Sequence, residues 1–131
     1  MTQMRPALCV LALLVAFAAG MAVDPLAGQT RPRMWADLLL DLRTEEIPKR
    51  TRVHVNLDHW EPGAETGRHR HPGPTVFVLL DGELGETLAD GRTQTLKAGQ
   101  AFWKPARTDH NVRNVGARTA RAIAVHLDPA P

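Results

Sequence analysis

The sequence predicts an all-β protein of one domain, and three observations predict it. From Thr51 onward, short apolar runs are separated by glycine-bearing turns at close, fairly even spacing. Where apolar and polar residues alternate they do so with period two, and no stretch carries a helical period. The chain has 131 residues, room for a single core, so strands this short must bury their faces against one another in a sandwich or small barrel.

Residues 1–22 read as a signal peptide rather than as part of the fold. Arg5 supplies the positive start, and Ala7 to Ala19 is an apolar run without a charge, shorter than the roughly 20 residues that a spanning helix needs. Small residues follow, and cleavage after Gly20 or after Ala22 fits equally well. The domain is therefore expected to be periplasmic or secreted and free of the membrane after cleavage. The alternative is an uncleaved anchor, since the uncharged stretch continues through Val23. Cys9, the one cysteine, lies inside this segment, so the cleaved chain has no thiol for a disulfide or for nucleophilic catalysis.

Residues 23–34 are rich in Pro, Gly and Arg and read as a flexible linker or arm, leaving 35–131 as the domain. Met34 to Leu42 fits neither period and is open between a short helix and a first strand. After Pro48, Val53, Val55 and Leu57 alternate with His54, Asn56 and Asp58 in a strand that ends at Glu61-Pro62-Gly63. Thr75 to Leu80 is closed by Asp81-Gly82, Glu83 to Leu88 runs to Asp90-Gly91, and Thr93 to Leu96 returns to Ala98-Gly99. Phe102 and Trp103 form a strand stopped by Pro105, followed by His110 to Val115 and Thr119 to Leu127. Roughly eight or nine strands are expected on this count. Val76, Val78 and Leu80 oppose Phe77 and Leu79 in parity, so both faces of that strand are apolar, and the outer one suits a homodimer partner or the N-terminal segment.

Sixteen Lys and Arg stand against fourteen Asp and Glu, a net charge of +2. The basic side chains are scattered, which argues against nucleic acid as a partner.

Chemistry rests with the six histidines. His69 and His71 form an H-x-H pair, which in an extended strand turns both rings to one face, where they can chelate one ion. Arg68 and Arg70, interleaved with them, fit an exposed basic edge equally well. The pair sits in a longer pattern: Gly63, His69, His71, Thr75 and Gly82 are spaced as G-x(5)-H-x-H-x(3)-T-x(6)-G. A second follows in Gly99, Pro105, His110 and Asn114. Together they resemble the two motifs of the cupin superfamily, G-x(5)-H-x-H-x(3,4)-E-x(6)-G and G-x(5)-P-x-G-x(2)-H-x(3)-N.

The resemblance implies a small antiparallel jelly-roll β-barrel with a metal inside one mouth, held by His69, His71 and His110. Two residues depart from the pattern. Arg107 replaces a turn glycine, which is harmless if its backbone stays in an ordinary region. Thr75 stands where the family has a ligating Glu, and a neutral hydroxyl binds a divalent ion far more weakly than a carboxylate. Thr75 is thus expected beside the ion or holding a water. Three neutral imidazoles leave the ion's charge uncompensated, which favours an anion in the open position, and they suit Fe(II) or Zn better than Mn. A degenerate barrel that has lost its metal is the competing expectation.

Asn114 is expected to bond backbone around the His110 strand and orient that ring. Phe77, Trp103 and Trp60 are expected to wall the cavity or simply to fill the core. His54, His59 and His126 have no motif position and are expected on the surface or in the core. The family hosts dioxygenases, isomerases, decarboxylases and sugar-binding modules, so the resemblance does not name a reaction. Two expectations stand together: a metal-dependent dioxygenase or isomerase acting on a small oxygen-rich anion, and a non-catalytic module that binds a small molecule or metal.

Overall fold

A computed structural model describes residues 32–131. The signal-peptide reading of residues 1–22 and most of the 23–34 linker lie outside the described residues. Among those described, seven strands and no helix are present: β1 (Thr51–Trp60), β2 (Thr75–Asp81), β3 (Glu83–Leu88), β4 (Thr93–Lys97), β5 (Ala101–Lys104), β6 (His110–Asn114) and β7 (Ala120–Pro129). The expected count of eight or nine was too high. Met34 to Leu42 is neither helix nor strand, because its four leucines make no single stripe for either geometry to bury.

The strands form two antiparallel sheets, one ordered β1-β7-β2-β5 and the other β4-β3-β6. Residue parity sorts the side chains. Leu79, Leu84, Leu96, Val112, Ala120, Ala122 and Ala124 face the interior and are buried with Trp60 and Phe77, so the two inner faces share one core. The outer face of the four-stranded sheet is apolar as well, with Val53, Val55 and Leu57 of edge strand β1 at least half exposed. This is the surface expected from the double-faced pattern of β2, and it continues onto β1.

The inward residues of β7 are Ala120, Ala122 and Ala124 before His126. Three alanines on a central strand leave the barrel hollow beside them, since an alanine fills much less volume than the branched residues usual in a core. Opposite Ala124 stand Asn56 and Phe77, and opposite Ala120 stands Trp60. Trp60 packs edge-on against Phe77 at 5.9 Å between ring centroids and closes the deep end.

Two tight backbone positions shape the loops. At Gly73 an added Cβ would overlap the Leu127 carbonyl, so only glycine lets the chain leave His71 and enter β2 at this distance from β7. Arg107 corrects the expectation of an ordinary backbone: its φ is +55°, the left-handed region, and it is the sole non-glycine residue there among those described. The turn glycine of the motif is absent, yet the conformation it serves is kept. The Arg107 N–H donates to the His71 carbonyl at 2.8 Å, which ties the β5–β6 turn to the H-x-H segment. A left-handed non-glycine residue costs roughly 1–2 kcal/mol. Arg107→Gly should therefore raise unfolding stability by about 0.5–1 kcal/mol after the glycine's own entropy cost, a gain of roughly 2–6 °C in Tm. Arg107→Ala, which keeps the strain, should gain nothing; thermal melts of both variants check this.

Candidate metal centre

His69 lies in the irregular segment between β1 and β2, not in a strand, and the H-x-H pair owes its geometry to a single bridge. His69 N–H donates to His110 O and His110 N–H donates to His69 O, both at 2.9 Å. Residues so paired have neighbouring Cβ atoms on one side of the ladder. The His69 and His110 rings accordingly stand 4.5 Å apart between centroids, with His71 4.9 Å from His69 and 5.4 Å from His110. On the outer side, Asp109 turns away from the cavity, as its parity predicts, and Arg68 donates to its Oδ2 through Nε at 3.3 Å and Nη2 at 3.2 Å. The backbone pair on one side and this ion pair on the other fasten the two loops.

Ring nitrogens of His69, His71 and His110 all lie within 4.8 Å of one another. His69 donates Nδ1–H to Gly67 O at 2.9 Å, and His110 donates Nδ1–H to Thr108 O at 3.1 Å. In a neutral imidazole this leaves Nε2 as the lone pair facing the cluster. His71 has no such backbone partner among the described residues. Two imidazole nitrogens bound to one ion at about 2.1 Å stand about 3.0 Å apart at right angles and about 3.4 Å apart at the tetrahedral angle. The Nε2 atoms of His69 and His71 are 3.2 Å apart, the spacing of two ligands on one ion, and three neutral imidazoles fit a divalent ion in their chemistry.

A cavity of about 560 Å³ opens on these three rings. Across the four-stranded sheet the registers align one inward polar row, His54, His126, Thr75 and Lys104, contributed by β1, β7, β2 and β5 in turn, and all four line the cavity. Thr75 is 2% exposed, and its Oγ1 is 3.0 Å from His126 Nδ1. The hydroxyl at the usual Glu position is thus engaged by a histidine on the next strand. His126 packs against His71 at 4.7 Å between centroids and stacks on His54 at 4.5 Å. Beyond Thr75, the Lys104 ammonium is buried, lies over the Phe77 and Phe102 rings at 5.9 and 5.2 Å, and pairs with Glu86 of the opposite sheet. Gln94 also donates to that Glu86 oxygen.

Several sequence expectations change in detail. His126, His54 and His59, given no role, all line the cavity, His59 from an exposed position on β1. Phe77 lines the cavity as expected. Trp103 does not: it pairs with Val76 on the outer face and donates Nε1–H to Glu46 at 3.2 Å, and Trp60 takes the wall position instead. Asn114 is buried and bonds backbone, donating to Trp60 O at 2.9 Å and Arg118 O at 2.8 Å and accepting from Gly116 N–H at 2.8 Å. These bonds join β6 to the end of β1 and the next turn, while the His110 ring is oriented by Thr108. Glu65 reaches the cavity rim, exposed and accepting from Asn111; Glu61 is exposed and lies outside the lining. The parity of His126 with Ala124, and of Lys104 with Phe102, was available in the sequence, but the registers that align them in one row were not.

Burial lowers the His71 pKa to about 4, with the neighbouring His126, His69 and His110 adding to the effect. Burial likewise lowers His110, against the opposing hydrogen bond to Thr108, and lowers His126, helped by His54. His71 and His110 are therefore held neutral at neutral pH, the state that ligates metal.

The cupin domain family matches residues 56–126, and the chain belongs to that family. Over 69 residues it is 52% identical to the beta-alanine degradation protein BauB of Pseudomonas aeruginosa, a match that covers 50% of this chain and 73% of that protein. A cupin domain from Bordetella pertussis is 27% identical with a TM-score of 0.53, covering 78% of this chain and all of the other. A predicted oxalate decarboxylase from Thermotoga maritima shares the fold at 23% identity and a TM-score of 0.54, covering 61% of this chain and 69% of its own.

These shifts set a pH dependence for the metal-free protein. Folded His71 protonates near pH 4 and the unfolded residue near 6.5, so between those values the unfolded chain binds more protons. Stability should be level above about pH 6.5 and fall as the pH drops toward 4. Denaturant unfolding across that range checks the slope, which His71→Gln should flatten.

Proposed function

We propose that the chain is an exported, metal-dependent cupin enzyme that holds a divalent ion on His69, His71 and His110 and acts on a small oxygen-rich anion as a dioxygenase or isomerase. The observation that carries this reading is the convergence of three imidazoles on one point of a cavity large enough for a small metabolite. When bound, the ion supplies a Lewis acid to an oxygen of the ligand; Fe(II) or Zn suits three imidazoles best. The protein's own residues do the rest. Backbone carbonyls hold the His69 and His110 rings in place. Trp60 and Phe77 keep water from the deep end of the cavity, and the Thr75–His126 hydrogen bond sits on the cavity wall beside the cluster. A non-catalytic module that binds a small molecule or metal is the second reading, and the same Thr75–His126 pair would serve it as a polar fixture of the pocket. The Pseudomonas relative is named for degradation of β-alanine, a short zwitterion whose one acidic group is a carboxylate, which supports a small carboxylate-bearing ligand.

Metal analysis tests the reading. Purified wild type should carry about one iron or zinc per chain, and His71→Ala should fall to background while melting as a folded protein; equal metal in both would refute the site. Oxygen uptake with small keto-acid and phenolic substrates then separates oxygenase from isomerase. For export, N-terminal sequencing of protein recovered outside the cytoplasm should begin at Met21 or Val23.

A further inference from the structure

Lys104 is not needed to explain the metal cluster, and its setting is unusual for a lysine. Of the three lysines in the chain, Lys49 and Lys97 are exposed, whereas Lys104 is 6% exposed and faces inward from β5. Burying an ammonium is costly unless it is paired, and even a paired one is weak evidence for stability, since apolar residues of like size would serve a core as well. Its pair is incomplete on both sides. One Glu86 oxygen takes the bonds from Lys104 and Gln94, while Glu86 Oε1 is buried without a hydrogen-bond partner. The ammonium has three N–H donors, and among the described residues only Glu86 accepts from it. Lys104 also lines the cavity that His69, His71 and His110 open on, one strand across from Thr75.

We propose that Lys104 is a second anion-holding point, and that the ligand of this site is a short carboxylate with two oxygen-bearing ends: one carboxylate on the Lys104 ammonium, the other oxygen function at the histidine cluster. This rests on the proposed metal site and narrows its ligand. Glu86, on the opposite sheet, balances the lysine's charge when the cavity is empty. The flanking Phe77 and Phe102 rings leave the ammonium poorly solvated, so a carboxylate there replaces little water. The anion class follows from the donors alone, and the two-ended form from their placement at separate points of one cavity.

Calorimetric titration with malonate as the two-ended probe and acetate as the single-ended control tests this, on metal-loaded and metal-stripped protein. Malonate should bind the loaded wild type at least ten-fold tighter than acetate. The paired variant Lys104→Met/Glu86→Gln, which leaves no lone buried charge, should keep wild-type metal content and lose that ten-fold preference. Unchanged malonate affinity in the variant, or no preference in the wild type, overturns the inference while metal content still reports on the histidine site. A wild type that takes up no metal overturns the metal reading instead; Lys104 is then judged on stripped protein, where loss of malonate binding in the variant supports it and retention overturns it. Should the variant not fold, the Lys104 Nζ resonance of ¹⁵N-lysine-labelled wild type decides: a malonate-dependent shift of that one signal supports the proposal, and its absence overturns it.

Discussion

Two backbone hydrogen bonds, exchanged between His69 and His110, are the constraint on which the candidate site depends. They join an irregular segment to the first residue of a strand 41 positions later, and an antiparallel pair of this kind leaves little freedom in how the two rings approach. His71 follows from the same anchoring, because its carbonyl accepts from Arg107 in the turn leading to His110. The geometry of the three-histidine cluster is thus a property of the backbone network. Two of the rings, His69 and His110, have in addition a carbonyl that orients Nδ1.

The rest of the interior is arranged around the space that β7 leaves open. Its alanines hollow the four-stranded sheet, and the residues that border the hollow grade from Trp60 and Phe77 at the deep end to His54, His126, Thr75 and Lys104 around the histidines. Such a polar row would weaken a core built for stability alone. Here Thr75 and His126 share a hydrogen bond and Lys104 pairs with Glu86 of the opposite sheet, while His54 stacks on His126 with its Nδ1 left without a hydrogen-bond partner. Arg107 fits the same pattern, since a strained backbone is retained where it supports the site.

Replacement of the family's carboxylate by Thr75 is less of a void than the sequence alone implies. The hydroxyl is buried and shared with His126, and a buried ammonium stands one strand beyond it. A position that carries a negative charge in the family is therefore flanked by nitrogen donors in this chain.

Much of this was legible in the sequence. Period two, glycine turns and the two histidine motifs were enough to place the strands from Thr51 onward, the barrel class and the three imidazoles, because parity and turn chemistry are local properties of the chain. The Asp109 direction, opposite to that of its neighbour His110, followed from the same parity. Tertiary structure alone decided the rest. Which strands pair, and in what register, is set by contacts between distant segments; only that register puts His126 beside Thr75, Lys104 beside Thr75 on the other flank, and Glu86 across the barrel from Lys104. The outward turn of Trp103, the inward one of Trp60 and the left-handed backbone of Arg107 likewise depend on how the two sheets close, a long-range event that no window of sequence contains.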